Sequence, residues 1–160
     1  EKDRSYHANN LTQNGTPTEA AVASGAELDG YSGFSSSVNY TASSNAEWDV
    51  FGTGSFYQSI WFKCSGNSST EILCGFSNSG NSVQFYIQLL SSGVLDPQFN
   101  GATATASGTA TTEAWDDNEW HKADCVQVSS TERYVYVDGV LKKKDTTDIG
   151  SQIVEIFLMR

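Results

Sequence analysis

Apolar residues in this chain occur in short runs separated by clusters of Gly, Ser, Asn and Thr, without the spacing of an amphipathic helix. The pattern is clearest over residues 118–144, NEWHKADCVQVSSTERYVYVDGVLKKK, where runs at 120–128, 133–137 and 140–143 predict three consecutive strands. Asp138-Gly139 lies between the last two runs, and Asp-Gly between β-forming residues predicts a type I′ hairpin, since both turn positions need positive φ. We therefore interpret Asp138 as a turn residue rather than a ligand.

Alternation predicts further strands along the rest of the chain, at Ser55–Cys64, Glu71–Ser77, Val83–Leu90, Val94–Phe99 and Ile153–Met159. Asp96-Pro97 makes the strand at 94–99 irregular or an edge strand, because Pro has no N–H to donate. The N-terminal part predicts strand and loop over Thr18–Leu28, a turn at Asp29-Gly30, a strand at Phe34–Thr41 and a helical turn within Ala42–Val50. The faces of the strands predict a core of Phe56, Ile60, Phe62, Phe85, Ile87, Cys125, Val135 and Val137.

Composition agrees with an all-β sandwich, because short apolar runs alternate with turn residues and helix-forming stretches are lacking. A length of 160 residues predicts one domain, 1–160. The net charge of −10 disfavours nucleic acid and anionic membrane surfaces as partners, since both require clustered Lys and Arg. No apolar run approaches the roughly 18 residues of a membrane-spanning helix, so no membrane insertion is expected.

Several motifs resemble the laminin-G/concanavalin A-like lectin/glucanase superfamily. They are the strand that opens with Trp120-His121, the later YVDGVL at 136–141, and, earlier in the chain, YSGFS at 31–35, DVFGTG at 49–54 and WFK at 61–63. In this form, and with DRSYHANNLTQNGTP as the opening, they are most similar to modules of bacteriophage tail and appendage proteins. The resemblance implies a two-sheet antiparallel jelly-roll sandwich of the concanavalin A-like type, located outside the cell or on a virion.

The superfamily pattern usually extends by one strand before and one strand after the matching stretch. We therefore interpret the chain as a single concanavalin A-like/laminin-G-like domain, 1–160, excised from a longer protein. On this interpretation the sheet next to Ile153–Met159 has an open edge. Exposed edges recruit partners, so another segment of the parent protein or a neighbouring subunit is expected to fill it.

Catalysis is not expected, although the superfamily includes glucanases. Glycoside hydrolysis needs two carboxylates at a defined separation, and the Glu-x-Asp-x-x-Glu motif that supplies them is absent. No Gly-x-Ser-x-Gly elbow accompanies either histidine. His121 lies in phase with Ala123 and Cys125, so we interpret it as a structural imidazole bonded to the backbone.

Cysteines and calcium leave alternatives open. The three cysteines match no disulfide framework or zinc pattern; Cys64 and Cys74 could pair, but small buried hydrophobes are favoured. Bound Ca²⁺ is common among laminin-G-like relatives and requires six to eight oxygens. Asp3 with Asn9 and Asn10, or Asp116 with Asp117, could contribute oxygens, but the sequence determines no ligand set.

The predicted function is a non-catalytic carbohydrate-binding module of a larger extracellular or phage appendage protein. Sugars bind to aromatic rings through their apolar faces and to amides and carboxylates through their hydroxyls. Gln84, Tyr86 and Gln88 lie opposite Phe85 and Ile87, and Trp115 and Asp116 from a nearby loop are predicted to assist. The predicted partner is a glycan or cell-surface polysaccharide. Other aromatic side chains also lie opposite the core faces of their strands: Tyr57, Trp61, Trp120, Tyr134 and Tyr136.

The alternative function is a structural or assembly domain without a small ligand.

Overall fold

A computed structural model describes residues 10–42, 55–77, 84–100 and 109–149 of the chain. They fall in two compact units, with 10–42 in the first and 55–149 in the second. Every regular element among them is a β-strand, as the sequence predicted. The described residues include no helix with the length and hydropathy that crossing a membrane requires.

The first unit contains two small antiparallel sheets. Strands β1 (Thr12–Asn14) and β4 (Asn39–Thr41) form one pair, and β2 (Thr18–Ala21) and β3 (Asp29–Ser32) form the other. The rings of Tyr31 and Tyr40 meet edge to face at 5.6 Å between centroids.

Two predictions for this unit were wrong. Asp29-Gly30 is part of β3 and pairs with β2, while the turn lies at 22–28, closed by the Val22 N–H to Leu28 O bond of 3.0 Å. Phe34–Thr41 is a strand only from Asn39, since Ser35 Oγ accepts hydrogen bonds from the N–H groups of Ser37 and Val38 and forms a tight turn. The predicted helical turn within Ala42–Val50 lies outside the described residues.

The second unit is a sandwich of two antiparallel sheets. One has the strand order β11 (Val140–Asp145), β10 (Glu132–Val137), β9 (Asp117–Ser129), β5 (Phe56–Ser65). The other has the order β6 (Glu71–Ser77), β7 (Gln84–Leu89), β8 (Leu95–Asn100). The prediction for the last apolar run, Ile153–Met159, and for its open edge concerns residues outside the described part.

The predicted hairpin between β10 and β11 is confirmed. Asp138 and Gly139 have φ values of 52° and 76°, as a type I′ turn requires. Asp138 also accepts the N–H of Lys122 through Oδ1 at 2.8 Å, so the turn is bonded to the neighbouring strand β9. Its side chain therefore stabilises the turn, as predicted.

The core lies between the two sheets and follows the predicted faces. Of the predicted core residues, Ile60 is only partly buried and the others are buried. Phe56 of β5 connects the sheets, with ring centroids 5.0 Å from Phe85 and 6.0 Å from Phe99. All three cysteines are free thiols; Cys125 is buried, as the favoured interpretation predicted, while Cys64 and Cys74 are only partly buried.

Candidate functional site

The candidate site is the outer face of the β6–β7–β8 sheet, the side away from the core. Phe85, Ile87 and Leu89 of β7 are buried, so the residues between them, Tyr86 and Gln88, face outward and are partly exposed. This part of the prediction agrees with the observed faces. Gln84 pairs with Asn100 at the start of β7, and its side chain lies outside the described part.

Strand β8 adds two polar side chains to this face. The register places Gln98 beside Tyr86 and Asp96 beside Gln88. Asp96 Oδ2 accepts hydrogen bonds from Nε2 of Gln88 at 2.9 Å and from Nε2 of Gln98 at 2.5 Å. One carboxylate thus holds two amides in fixed orientations on either side of it.

Several polar atoms on this face remain available to a ligand. Among the described residues, Asp96 Oδ1, the Oε1 atoms of Gln88 and Gln98, and the Tyr86 hydroxyl have no hydrogen-bond partner. Hydroxyl groups of a ligand can donate to the first three atoms, while the phenol can donate or accept. The face therefore combines one aromatic ring with an ordered set of acceptors.

Gly75 of β6 lies opposite Tyr86 in the register. A Cβ atom at Gly75 would be 2.5 Å from Tyr86 Cβ and 2.7 Å from Phe85 O, closer than van der Waals contact permits. Glycine is therefore required for β6 to approach β7 at this point. The position of the Tyr86 side chain depends on that approach.

Trp115 and Asp116 have partners away from Tyr86. The Trp115 indole donates from Nε1 to Thr111 Oγ1 at 3.1 Å, and its ring lies 5.0 Å from the His121 ring and 5.0 Å from Lys142 Nζ. Asp116 Oδ2 accepts the N–H of Asn67 at 3.3 Å. Among the described residues no hydrogen bond or ring contact joins either residue to Tyr86. Their roles in binding stay predictions.

Asp116 holds three loops together. Its backbone carbonyl accepts the N–H of Gly66 at 3.2 Å, and its carboxylate lies against Gly93, where the Cβ atom of any other residue would overlap Oδ1. Asn67 continues the contact by donating from Nδ2 to the carbonyls of Leu89 and Leu90. The loop that leads into β9 is thereby bonded to the loops that follow β5 and β7.

His121 forms a second polar cluster, in the other sheet. Its Nδ1 lies 2.8 Å from Asp138 Oδ2 and its Nε2 lies 3.0 Å from Asp117 Oδ1, so its predicted partner, the backbone, is replaced by two carboxylates. Burial lowers the pKa of His121, but the hydrogen bonds to Asp138 and Asp117 outweigh burial and raise that pKa above its usual value. The protonated ring can donate to both carboxylates at once.

The contacts of His121 differ from those of a general base that activates a nucleophile. Both ring nitrogens are occupied, and no Ser, Thr or Cys side chain among the described residues bonds to them. Burial raises the pKa of the Cys74 thiol to about 12 and that of Cys125 well above its usual value, so neither is an activated nucleophile.

No metal cluster was found in the described ranges, where no group of three or more His, Cys, Asp or Glu side chains is arranged to hold an ion. Calcium therefore stays an open prediction. Asp3 and Asn9 lie outside these ranges, and Asn10 is the first residue that the structure describes.

The outer face of the β5–β9–β10–β11 sheet is the other exposed surface of the sandwich. Tyr57 and Trp61 of β5 are 57% and 62% exposed. The Tyr57 hydroxyl donates to Asp124 Oδ1 and receives a hydrogen bond from Lys122 Nζ at 3.3 Å, so that ring is held in place. Trp61 has no ring contact and no hydrogen bond from its indole N–H within the described part of the chain.

Sequence reasoning missed Asp96 and Gln98 as site residues. The Asp96-Pro97 pair predicted an irregular or an edge strand, and β8 is an edge strand of the described sheet, in which Pro97 is buried and pairs with Ile87 in regular register. The turn at 91–93 could have identified them. Counting outward from this turn pairs Leu89 with Leu95, and the same register pairs Tyr86 with Gln98. Turn length sets the register of a hairpin.

Comparison with known proteins agrees with this architecture. The family model Laminin_G_3, described as the concanavalin A-like lectin/glucanases superfamily, matches residues 34–154. No curated protein sequence matches the chain.

Three solved structures share the fold. The botulinum neurotoxin serotype G binding domain is 11% identical at a TM-score of 0.70, covering 97% of this chain and 38% of that chain. The binding domain of Paraclostridial Mosquitocidal Protein 1 is 13% identical at a TM-score of 0.69, and the match covers 98% of this chain and 40% of that chain. The mouse laminin alpha1 chain, domains LG4-5, is 11% identical at a TM-score of 0.55, and the match covers 67% of this chain and 28% of that chain.

The chain thus spans 28 to 40% of the length of these three structures. Identities this low show the fold alone. The predicted concanavalin A-like antiparallel sandwich is confirmed.

Proposed function

This chain belongs to the concanavalin A-like lectin/glucanases superfamily, and on that premise we propose that it is a non-catalytic carbohydrate-binding module. The proposed site is the outer face of the β6–β7–β8 sheet. One observation carries the proposal: a tyrosine whose hydroxyl has no partner among the described residues lies beside two glutamine amides that a single carboxylate orients. An aromatic ring next to preorganised amides suits the two sides of a pyranose, its C–H face and its hydroxyl edge.

A binding role suits the site better than hydrolysis. Glycosidases need two carboxyl groups flanking the bond that breaks, and Asp96 is the one carboxylate among the described side chains on this face. Both of its neighbours donate to it, so it accepts hydrogen bonds rather than acting as an acid. Two of the structures with the same fold are toxin binding domains, which is consistent with recognition.

We further propose that one module binds weakly and that the parent protein carries many copies. A shallow face with one ring provides about 4–8 kcal/mol, which corresponds to millimolar to micromolar dissociation constants. Multivalent display on an extracellular protein or a virion appendage, including a phage tail, raises the effective affinity without new contacts.

The test is a pair of matched tyrosine variants in a multimerised chain. Tyr86→Ala is expected to abolish glycan-array binding, while Tyr136→Ala, the same truncation on the outer face of the other sheet, is expected to preserve it. Tyr86 lies outside the core, so both variants should retain the wild-type melting temperature to within a few degrees. Loss of binding in Tyr136→Ala alone would place the site on the other sheet, and a silent wild-type protein would exclude the lectin function.

A second candidate function is assembly within a larger particle. The observation that favours it is Trp61, a 62% exposed indole without a partner in the described part, with Tyr57 exposed on the same strand. Exposed Trp and Tyr are the residues that most often anchor protein contacts. This candidate expects concentration-dependent association in light scattering that Trp61→Ala removes and Tyr86→Ala leaves intact.

A further inference from the structure

The charges of the sandwich are distributed unevenly between its two sheets. From residue 64 to residue 120 the chain contains no Lys, Arg or His, but it contains the acids Glu71, Asp96, Glu113, Asp116, Asp117 and Glu119. This stretch includes all of the β6–β7–β8 sheet and the loops between its strands. The described lysines, Lys63, Lys122 and Lys142–Lys144, belong to the strands of the other sheet.

The hydrogen bonds on the outer face of the β6–β7–β8 sheet indicate which ligand groups it can satisfy. Asp96 Oδ2 is used by both glutamine amides, so Oδ1 and the two glutamine Oε1 atoms are the free acceptors among the described residues. Acceptors require donors, and sugar hydroxyls, N-acetyl N–H groups and ammonium groups are donors. A carboxylate or a sulfate can only accept, so it could use only the Tyr86 hydroxyl and the second N–H of each glutamine amide.

An acidic substituent would also lie close to Asp96. Charge repulsion at such short range is strong wherever water is partly excluded, and the 64–120 stretch supplies no cation to offset it. Unpaired like charges of this kind are how binding sites reject wrong ligands.

We infer that this face selects glycans built from neutral hexoses, N-acetylhexosamines or amino sugars, and rejects sialylated, uronic-acid and sulfated glycans. The inference rests on the proposed function and specifies its ligand class. The Asp96 carboxylate is the specificity determinant, and Tyr86 supplies the stacking surface common to all sugars.

The test uses the full chain, biotinylated and tetramerised on streptavidin, on an array that pairs each neutral glycan with its sialylated, uronic or sulfated analogue. Wild-type protein is expected to bind the acidic analogues at least about tenfold more weakly. The difference should narrow at about 0.5 M salt, where the Debye length is a few ångströms.

Asp96→Asn keeps an acceptor oxygen for the two amides and removes the charge, so it should reduce the discrimination by about the same tenfold factor. Glu119→Gln removes one charge from β9 instead and should leave the discrimination unchanged. The salt dependence of the wild-type chain gives a second measurement that requires no variant to fold.

Equal or stronger wild-type binding to the acidic analogues would overturn the charge selection and leave the proposed function standing. Discrimination against the acidic analogues that persists both in Asp96→Asn and at high salt would also overturn the charge selection and leave the proposed function standing. Failure of the wild-type tetramer to bind any glycan would overturn the proposed function and this inference with it.

Discussion

Arg133 is the most informative single residue for stability, because it is charged and has no exposed surface. Its Nε and one terminal nitrogen donate to Asp145 Oδ2 at 3.1 and 2.5 Å, and the other terminal nitrogen donates to Ser130 O at 2.7 Å. The guanidinium carbon also lies 5.8 Å from the centre of the Phe99 ring. Satisfied hydrogen bonds make a buried charge tolerable, and removing one partner leaves the charge uncompensated.

Asp145→Ala is therefore expected to lower the free energy of unfolding by about 3–5 kcal/mol in urea denaturation. Glu132→Ala is the matched control, since it breaks the exposed ion pair with Lys144 and should change stability little. Equal losses in the two variants would contradict the importance of burial.

A second residue-scale prediction concerns the pH dependence that His121 confers. Its folded pKa is raised, so its contribution to stability is fully present below the unfolded value of about 6.5 and is lost as the pH rises through the folded pKa. The pKa of Asp138 is lowered, because the bonds to His121 and Lys122 outweigh burial, so its contribution is lost as the pH falls through that pKa. The cluster should stabilise the fold most between these two limits.

His121→Gln should accordingly destabilise the protein more at pH 5.5 than at pH 9 in melts over a pH series. Asp117→Asn removes one carboxylate and should move the midpoint of this pH dependence to lower pH. A stability difference between wild type and His121→Gln that is constant with pH would show that His121 does not titrate in this range.

At the scale of elements, the approach of β6 to β7 positions the candidate site. Gly75 permits this approach, and its φ is not among the positive values of the chain, so the requirement is steric rather than conformational. Gly66 differs, because its φ is +67° and a Cβ atom there would have no atom of the described residues within 4 Å. Substitution of Gly75 therefore tests steric crowding, and substitution of Gly66 tests backbone strain.

Gly75→Ala should cost about 1–3 kcal/mol of unfolding free energy, because it overpacks the strand pair. It should also weaken glycan binding by displacing Tyr86. Gly66→Ala should cost about 1–2 kcal/mol through backbone strain alone and leave binding intact. Urea denaturation measures the stability and the glycan array measures the binding. Unchanged binding in Gly75→Ala would show that the site does not depend on the spacing between β6 and β7.

At the scale of the whole molecule, a cluster of phenylalanines holds the sandwich together. Phe56 from one sheet contacts Phe76, Phe85 and Phe99 from the other, with centroid distances between 5.0 and 6.1 Å. Aromatic pairs at these distances add to the stabilisation from area burial. Association of the two sheets therefore depends strongly on this cluster.

Phe85→Ala should cost about 3–5 kcal/mol in a reversible melt, since a fully packed site cannot collapse around the cavity. Tyr57→Ala, which truncates a ring on an exposed face, should cost much less. A loss below about 1 kcal/mol for Phe85→Ala would show that the two faces of β7 had been assigned the wrong way round.

The candidate site was only partly predictable, for reasons of range. Tyr86 and Gln88 followed from the alternation of one strand, which is a local property. Asp96 and Gln98 join them through the pairing of β7 with β8, and Trp115 and Asp116 find partners in β9–β11 and the loops instead. Such pairings depend on register and loop closure, which a single strand pattern does not contain.

By itself the sequence determined the strands of the sandwich, the type I′ turn at Asp138-Gly139 and the inward faces of β5, β7, β9 and β10, because period-two burial and turn preferences act between near neighbours. The tertiary structure decided the rest. It buried Arg133 against Asp145, placed His121 between two carboxylates and made Gly75 necessary beside Tyr86. Each of these contacts joins residues that meet only when the strands pair and the sheets pack, so their energies belong to the folded molecule.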